Sequence, residues 1–167
     1  DLGSHVVVVG GGNTAMDAAR MAIRTRGVED VTVVYRRSEE EMPADREEYE
    51  LALADGVTFI FLASPTSVVD GVMTVKKMVL GEKDASGRRK PVDSGETFTL
   101  DCTYMISAIG EKADENVLVA LGLSEDDQVY VIGDTKTGPS TVVRCIASAQ
   151  SAVDDAIDKV YEDILAS

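Results

Sequence analysis

Histidine is almost missing from this sequence: His5 is the only one in 167 residues. That argues against a histidine-based catalytic triad and against a histidine zinc site. Cysteine is nearly as scarce. Cys102 and Cys145 stand far apart with no C-x-x-C spacing, and a reducing cytoplasm is the simplest inference. Cys102 falls in a strand-like run and Cys145 in a helix-like one, so both are read as small buried hydrophobes rather than nucleophiles. Basic charge is short as well. A formal net charge of −14 argues against nucleic acid or an acidic membrane surface as partner. An anionic cofactor would have to be attracted locally, against the field of the whole molecule. No apolar run approaches the roughly 20 residues needed to cross a bilayer. The first residues also lack the basic and apolar segments of a signal peptide. What is present is ordinary for a globular protein, with 44% hydrophobic and 28% charged residues. The length suits one good core, or one domain plus a piece of another. A core strand begins almost at once, which suggests a chain cut from something longer.

That strand is Val6-Val7-Val8-Val9, and it runs into Gly10-Gly11-Gly12-Asn13-Thr14-Ala15-Met16-Asp17. Four β-branched residues in a row read as a strand buried on both faces of a parallel sheet. Gly10, Gly12 and Ala15 fit G-x-G-x-x-A, and each position has a physical reason. Gly10 allows a tight turn. Gly12 has no Cβ, so a pyrophosphate can approach the backbone. Ala15 is small enough for the helix to pack closely on the strand. The N–H groups of Asn13, Thr14 and Ala15 are expected to face phosphate oxygens, helped by the helix dipole. The strand before and the helix after make this motif much more specific than a glycine pattern alone.

The second strand, Val31 to Tyr35, comes about twenty residues later. NAD-binding domains place Asp or Glu at its end to accept from the ribose 2′-hydroxyl. Here Arg36 and Arg37 stand there, and guanidiniums grip a 2′-phosphate where a carboxylate would repel it. The residues therefore favour NADP(H). The competing reading is a solvated charge cluster of both arginines with Glu39, Glu40 and Glu41.

Apolar spacing predicts a helix from Asn13 to about Arg26, ended by Gly27, with Arg20 and Arg24 facing solvent. Met42-Pro43 breaks the chain. A second helix is predicted over 45–55, with Tyr49, Leu51, Ala52 and Ala54 available to pack, and a third strand over 57–62. The imperfect alternation of 74–80 and the run 97–100 predict an antiparallel excursion around a long polar hairpin loop, Gly81 to Gly95. A buried strand over 101–110 is expected to return beside the first strand, bringing Ala108, Ile109 and Gly110 near the nucleotide. Beyond it, a short strand over 128–134 and a helix from about Ser140, its N-cap, to Leu165 read as part of a second unit. They cannot bury their own faces. The fold class is α/β: a Rossmann-like three-layer parallel sheet with an antiparallel β-excursion, plus a C-terminal strand-helix piece. The expected division is 1–112 and 113–167.

The ordered set of residues 7–17, Tyr35-Arg36-Arg37, Met42-Pro43-Ala44, 84–92, Ser107-Ala108-Ile109-Gly110 and Val131-Ile132-Gly133-Asp134 resembles the NADPH small subunit of glutamate synthase and its relatives. These relatives include the reductase half of dihydropyrimidine dehydrogenase, an NADPH–ferredoxin oxidoreductase subunit and selenate reductase flavoprotein subunits. The resemblance implies an FAD domain interrupted by an NADPH domain and completed by a C-terminal strand and helix. It implies that Gly10, Gly11, Gly12, Asn13, Thr14, Ala15, Arg36 and Arg37 hold NADPH, and that Gly110 lies beside the nicotinamide or the hinge. It also implies that Gly133 and Asp134 approach FAD, with Asp134 accepting a ribityl hydroxyl. From the residues alone, Gly133-Asp134 reads equally well as a plain turn. The start of the last helix, near Thr141-Val142, is implied to face the FAD pyrophosphate or isoalloxazine.

Two departures matter. The family's earlier FAD fingerprint and iron–sulfur region do not precede Asp1, so this chain alone is not expected to hold FAD stably or to turn over. The family's Ala-Gly-Arg-like run in the last helix is here Ser148-Ala149-Gln150-Ser151. The resemblance thus implies an oxidoreductase in the parent protein, in which hydride passes from NADPH to FAD. Electrons then leave through iron–sulfur clusters to a large catalytic subunit or other acceptor. The rivals are a thioredoxin-reductase-like flavoenzyme, which requires an upstream C-x-x-C, and a dinucleotide-binding module without catalysis.

Overall fold

A computed structural model describes residues 1–83, 87–110, 120, 122, 129–138 and 140–166, apart from the side chains of 163 and 166. The chain divides into two compact units, Asp1–Ile109 and Gly110–Ser167.

The first unit is built on a parallel sheet of β1 (His5–Val9), β2 (Asp30–Val34), β3 (Thr58–Ile60) and β7 (Tyr104–Ser107), in the order β3-β2-β1-β7. The register pairs Val9 with Val34 on one side and with Ser107 on the other. Side chains alternate across a strand. Val6 and Val8 of β1 and Val31 and Val33 of β2 therefore point to one face, where α1 (Asn13–Ile23) and α2 (Arg46–Ala54) bury them with Met16, Ala19 and Ala52. Val7 and Val34 point to the other face and pack on Ala63, Met73, Val75 and Cys102. Val6, Val7 and Val8 are buried because both faces are covered, and Val9, at the strand's end, is half-buried.

Crossover handedness decides what covers each face. Parallel crossovers are right-handed. The chain steps from β1 to β2 to β3 in one direction, so α1 and α2 share a face. The step from β3 to β7 runs the opposite way, beyond β1, so its connection must cover the other face. That connection is the antiparallel sheet of β4 (Ala63–Val69), β5 (Val72–Lys83) and β6 (Arg89–Asp101). The three layers are helices, parallel sheet and antiparallel sheet.

Several boundaries depart from the sequence-based expectation. The polar stretch 81–95 is not a long loop: its described part is mainly the paired ends of β5 and β6. Backbone pairing carries these strands where apolar alternation is absent, helped by the ion pairs Lys76–Asp93 and Lys77–Glu96. The expectation at Asp84, Ala85 and Ser86 lies outside the described residues. Strand β4 gave no sequence signal because Ser64, Pro65, Thr66 and Ser67 lack the expected apolar residues. Strand β7 is shorter than 101–110: Asp101 completes β6, and the Cys102 N–H donates to the carbonyl of Gly71. Arg20 and Arg24 do not simply face solvent. Both pair with Asp55, and Arg20 also reaches Glu48, pinning α1 to the α2 end. These guanidiniums hold the Asp55 carboxyl below the usual carboxylate range. In α2, Tyr49 and Ala52 are buried, and the Tyr49 ring meets Phe59 edge-on.

In the second unit, α3 (Asp134–Thr137) is a single turn and α4 (Val142–Ala166) is long. The strand expected over 128–134 is not formed at 129–132, and Gln128 lies outside the described residues. A strand needs a neighbour to take its backbone groups, and the described residues of this unit contain none. Helix α4 begins after Thr141, whose hydroxyl accepts from the Arg144 N–H, so Ser140 is not its N-cap.

Candidate nucleotide-binding edge

The C-terminal ends of β2, β1 and β7 lie side by side, about 5 Å apart from strand to strand. In that order they carry Tyr35-Arg36-Arg37, the glycine turn, and Ala108-Ile109. Strand β1 is also where the crossovers switch from one face to the other. In open α/β sheets that switch point leaves a crevice for ligands.

The three glycines at the end of β1 differ in what the fold demands of them. Gly10 has φ +151°, and a Cβ there would stand 2.3 Å from the Ala108 carbonyl oxygen. At Gly11 a Cβ would stand 2.6 Å from the ring of Tyr35, which is buried beneath the turn. At Gly12 a Cβ would meet no described atom within 4 Å, and the backbone is ordinary extended chain with φ −97°. Packing thus explains Gly10 and Gly11, and leaves Gly12 as bare backbone facing open space at the start of α1. No side chain caps that helix. The N–H groups of Asn13 and Thr14 have no acceptor among the described residues, as the first turn of a helix dictates. The Ala15 N–H does not join them: it donates to the Gly12 carbonyl at 2.9 Å. Ala15 is fully buried against the sheet, which accounts for its small side chain.

A clasp that sequence reasoning missed holds this turn. The Asn13 side chain donates to Asp45 Oδ2 and accepts from the Asp45 N–H, each at 2.8 Å. The Ala44 N–H donates to the Gly11 carbonyl. Its one sequence signal is Met42-Pro43, which breaks the chain. The α1 N-terminus and the α2 N-cap are therefore fixed to each other.

The two arginines part company. Arg36 is exposed at the end of β2 and forms no hydrogen bond or ion pair with the other described residues. Arg37 is 5% exposed, and its Nε donates to the Arg89 carbonyl at 2.9 Å. A cluster of Arg36 with the following glutamates is not formed. Glu39 pairs with Arg46, and Glu41 Oε1 accepts the Arg89 N–H.

At β7, the Ala108 N–H donates to the Val9 carbonyl, and Ile109 is exposed. Gly110, with φ +84°, opens the second unit. Within that unit Gly133 has φ +59°, and its N–H donates to Ser148 Oγ. Asp134 Oδ1 accepts from the Ser140 N–H, the Ser140 hydroxyl and the Cys145 thiol. Those donors hold its carboxyl below the ordinary value. All three bonds fall on one oxygen. Cys145 is therefore half-buried and hydrogen-bonded rather than a plain core residue. Cys102 is buried, and burial pushes its thiol up. No helix among the described residues is long and apolar enough to cross a membrane.

A family model for pyridine nucleotide-disulphide oxidoreductases matches residues 1–156. The Escherichia coli O157:H7 protein YgfK is 50% identical over 169 residues, covering 92% of this chain and 16% of that protein. The NADPH glutamate synthase small chain of Azospirillum brasilense is 35% identical over 176 residues, covering 91% of this chain and 36% of that one. The structure of Mycobacterium tuberculosis FprA in complex with NADPH aligns with TM-score 0.74 at 21% identity, over 96% of this chain and 53% of that one. At that identity the likeness is one of fold. The chain spans only a minor part of the length of the first two relatives.

Proposed function

The chain belongs to the pyridine nucleotide-disulphide oxidoreductase family, and on that premise we propose that it is the NADPH-binding part of a flavin oxidoreductase. The observation that carries this reading is Gly12. It is a glycine that neither described packing nor φ requires, placed where the helix start offers two N–H groups with no acceptor among the described residues. An absent side chain with no internal reason is what close approach of a pyrophosphate needs. On this reading the pyrophosphate lies over β1, and the 2′-phosphate is met by Arg36 at the end of β2, with Arg37 beneath it. The nicotinamide lies toward Ala108, Ile109 and Gly110 at β7.

We assign residues 1–112 to the NADPH domain and 113–167 to part of an FAD domain, where Gly133 and the remaining oxygen of Asp134 fit an acceptor for a flavin ribityl hydroxyl. In the whole protein NADPH supplies a hydride for the flavin, and electrons pass on to a partner subunit through iron–sulfur clusters. The small chain of glutamate synthase, named as part of a larger enzyme, supports such a partner. This chain's residues bind and orient; none is required as acid or base. The uncovered anionic groups of the coenzyme meet local positive charge at Arg36 and the α1 dipole despite the net charge of −14.

Calorimetric titration with NADPH and with NADH tests the reading. NADPH is expected to bind more tightly, and Arg36→Ala is expected to cost NADPH about 1.5–3 kcal/mol, the loss of a charge-assisted hydrogen bond, with NADH unaffected. Equal binding of the two coenzymes by the unaltered chain refutes the 2′-phosphate role. Binding of neither refutes the glycine-turn site.

A further inference from the structure

Strands β5 and β6 are 12 and 13 residues long, far longer than the four-stranded sheet they cover. Their inner halves suffice for that cover: Met73 and Val75 are the residues of β5 that pack on Val7 and Val34. Past the register break between Lys76 and Met78 the two strands continue as an arm, through Leu80 opposite Pro91 to Lys83 opposite Arg89. The second break, between Leu80 and Lys83, is built around Gly81, where a Cβ would stand 2.9 Å from Val92 Cγ2. The Arg89 guanidinium spans this break and donates to the carbonyls of Leu80 and Gly81.

The backbone of Arg89 is then held on both sides by the loop that carries Arg36. Its N–H donates to Glu41 Oε1 at 2.7 Å, and its carbonyl accepts from Arg37 Nε at 2.9 Å. Both bonds are charge-assisted, which makes them stronger than ordinary backbone pairs. The second Glu41 oxygen is buried with no hydrogen bond among the described residues. Burying it carries a solvation cost that the loop bears in order to reach the arm. The Tyr35 hydroxyl donates to the Glu41 carbonyl, closing the loop on itself. Arg36 lies between these fixed points and has no partner of its own among the described residues, so its place is set by the backbone on either side.

We propose that the outer β5–β6 arm positions the coenzyme-selecting loop: Arg37 and Glu41 grip the Arg89 backbone between them and thereby hold Arg36 at the sheet edge. Arg37 and Glu41 are positioning residues, and the inference rests on the 2′-phosphate reading above.

The test is titration of the chain with NADPH and NADH, alongside thermal unfolding, for three variants. Glu41→Ala is expected to weaken NADPH about tenfold and leave NADH within about twofold, because it releases the Arg89 side of the loop while the Asn13–Asp45 clasp still holds the glycine turn. Glu41→Gln retains an acceptor oxygen and is expected to keep the unaltered preference. Gly81→Val distorts the arm without touching the loop and is expected to reproduce the selective loss. An unchanged NADPH-to-NADH ratio in both Glu41→Ala and Gly81→Val overturns the positioning role. Equal weakening of both coenzymes overturns it too, since general loosening would do that. Absence of any NADPH preference in the unaltered chain overturns the underlying coenzyme reading, and this inference with it.

Discussion

The first unit and helix α4 of the second spend the same residue types in opposite ways. Val6, Val8, Val31 and Val33 are wholly buried, whereas Val143, Val153 and Val160 of α4 are all more than half exposed. The difference is not in composition. In the first unit each valine faces a layer that the same unit supplies, helices on one side and an antiparallel sheet on the other. Helix α4 carries its apolar residues with few described residues of its own unit to meet them. An apolar side chain contributes to folding only through the surface it loses to water. The first unit therefore contains the reasons for its own stability, and α4 does not.

Substitution at matched positions puts that contrast at most risk. Met16→Ala, in the core between α1 and the sheet, is expected to destabilise the first unit by about 2–5 kcal/mol, measured by denaturant unfolding. Ile157→Ala on α4 is expected to cost less than about 0.5 kcal/mol. Similar losses at both would refute the contrast.

The contrast sharpens inside the glycine turn. Gly12→Val is expected to weaken NADPH binding at least about a hundredfold with the unfolding midpoint nearly unchanged, because a Cβ there meets only the space assigned to pyrophosphate. Gly10→Val is expected to lower the midpoint by several degrees, since its Cβ would drive into the Ala108 carbonyl from a positive φ. If the two glycines behave alike, the division between packed and open positions fails.

The smallest effect is expected at the entrance to β1. The His5 ring nitrogen bonds Asp30, which raises the histidine above its ordinary value. A group raised in the folded state adds stability that is fully present below its unfolded value, about pH 6.5. That stability is lost as pH climbs through the raised folded value. Thermal melts from pH 5 to 8 should therefore show a slight extra decline with rising pH that disappears in His5→Gln. Both side chains are substantially exposed, so solvent screening keeps the effect small. A pH profile unaltered by the substitution would show that the pair is energetically silent.

Much of the first unit was legible because its signals are local. Four valines, a glycine turn and helical apolar spacing specify β1 and α1 without reference to the rest of the chain. Strand β4 and the outer halves of β5 and β6 were not legible. They are strands because partners supply their backbone bonds, and their exposed polar side chains obey no buried alternation. The expected strand at 129–132 failed for the reverse reason: Val129, Val131 and Ile132 have strand-like side chains but no described neighbour in their unit to pair with.

The same division runs through the candidate site. By itself the sequence determined that a strand, a glycine turn and a helix follow one another, and that two arginines stand where a carboxylate is usual, because bond geometry and side-chain chemistry act over a few residues. Only the tertiary structure decided that Arg36 meets solvent while Arg37 turns inward to Arg89, 52 residues away. Only it decided that Gly10 and Gly11 serve packing while Gly12 is left open, and that the Ala15 N–H is already committed. Those outcomes depend on which distant atoms arrive beside each residue, and handed crossovers and strand order set that arrangement.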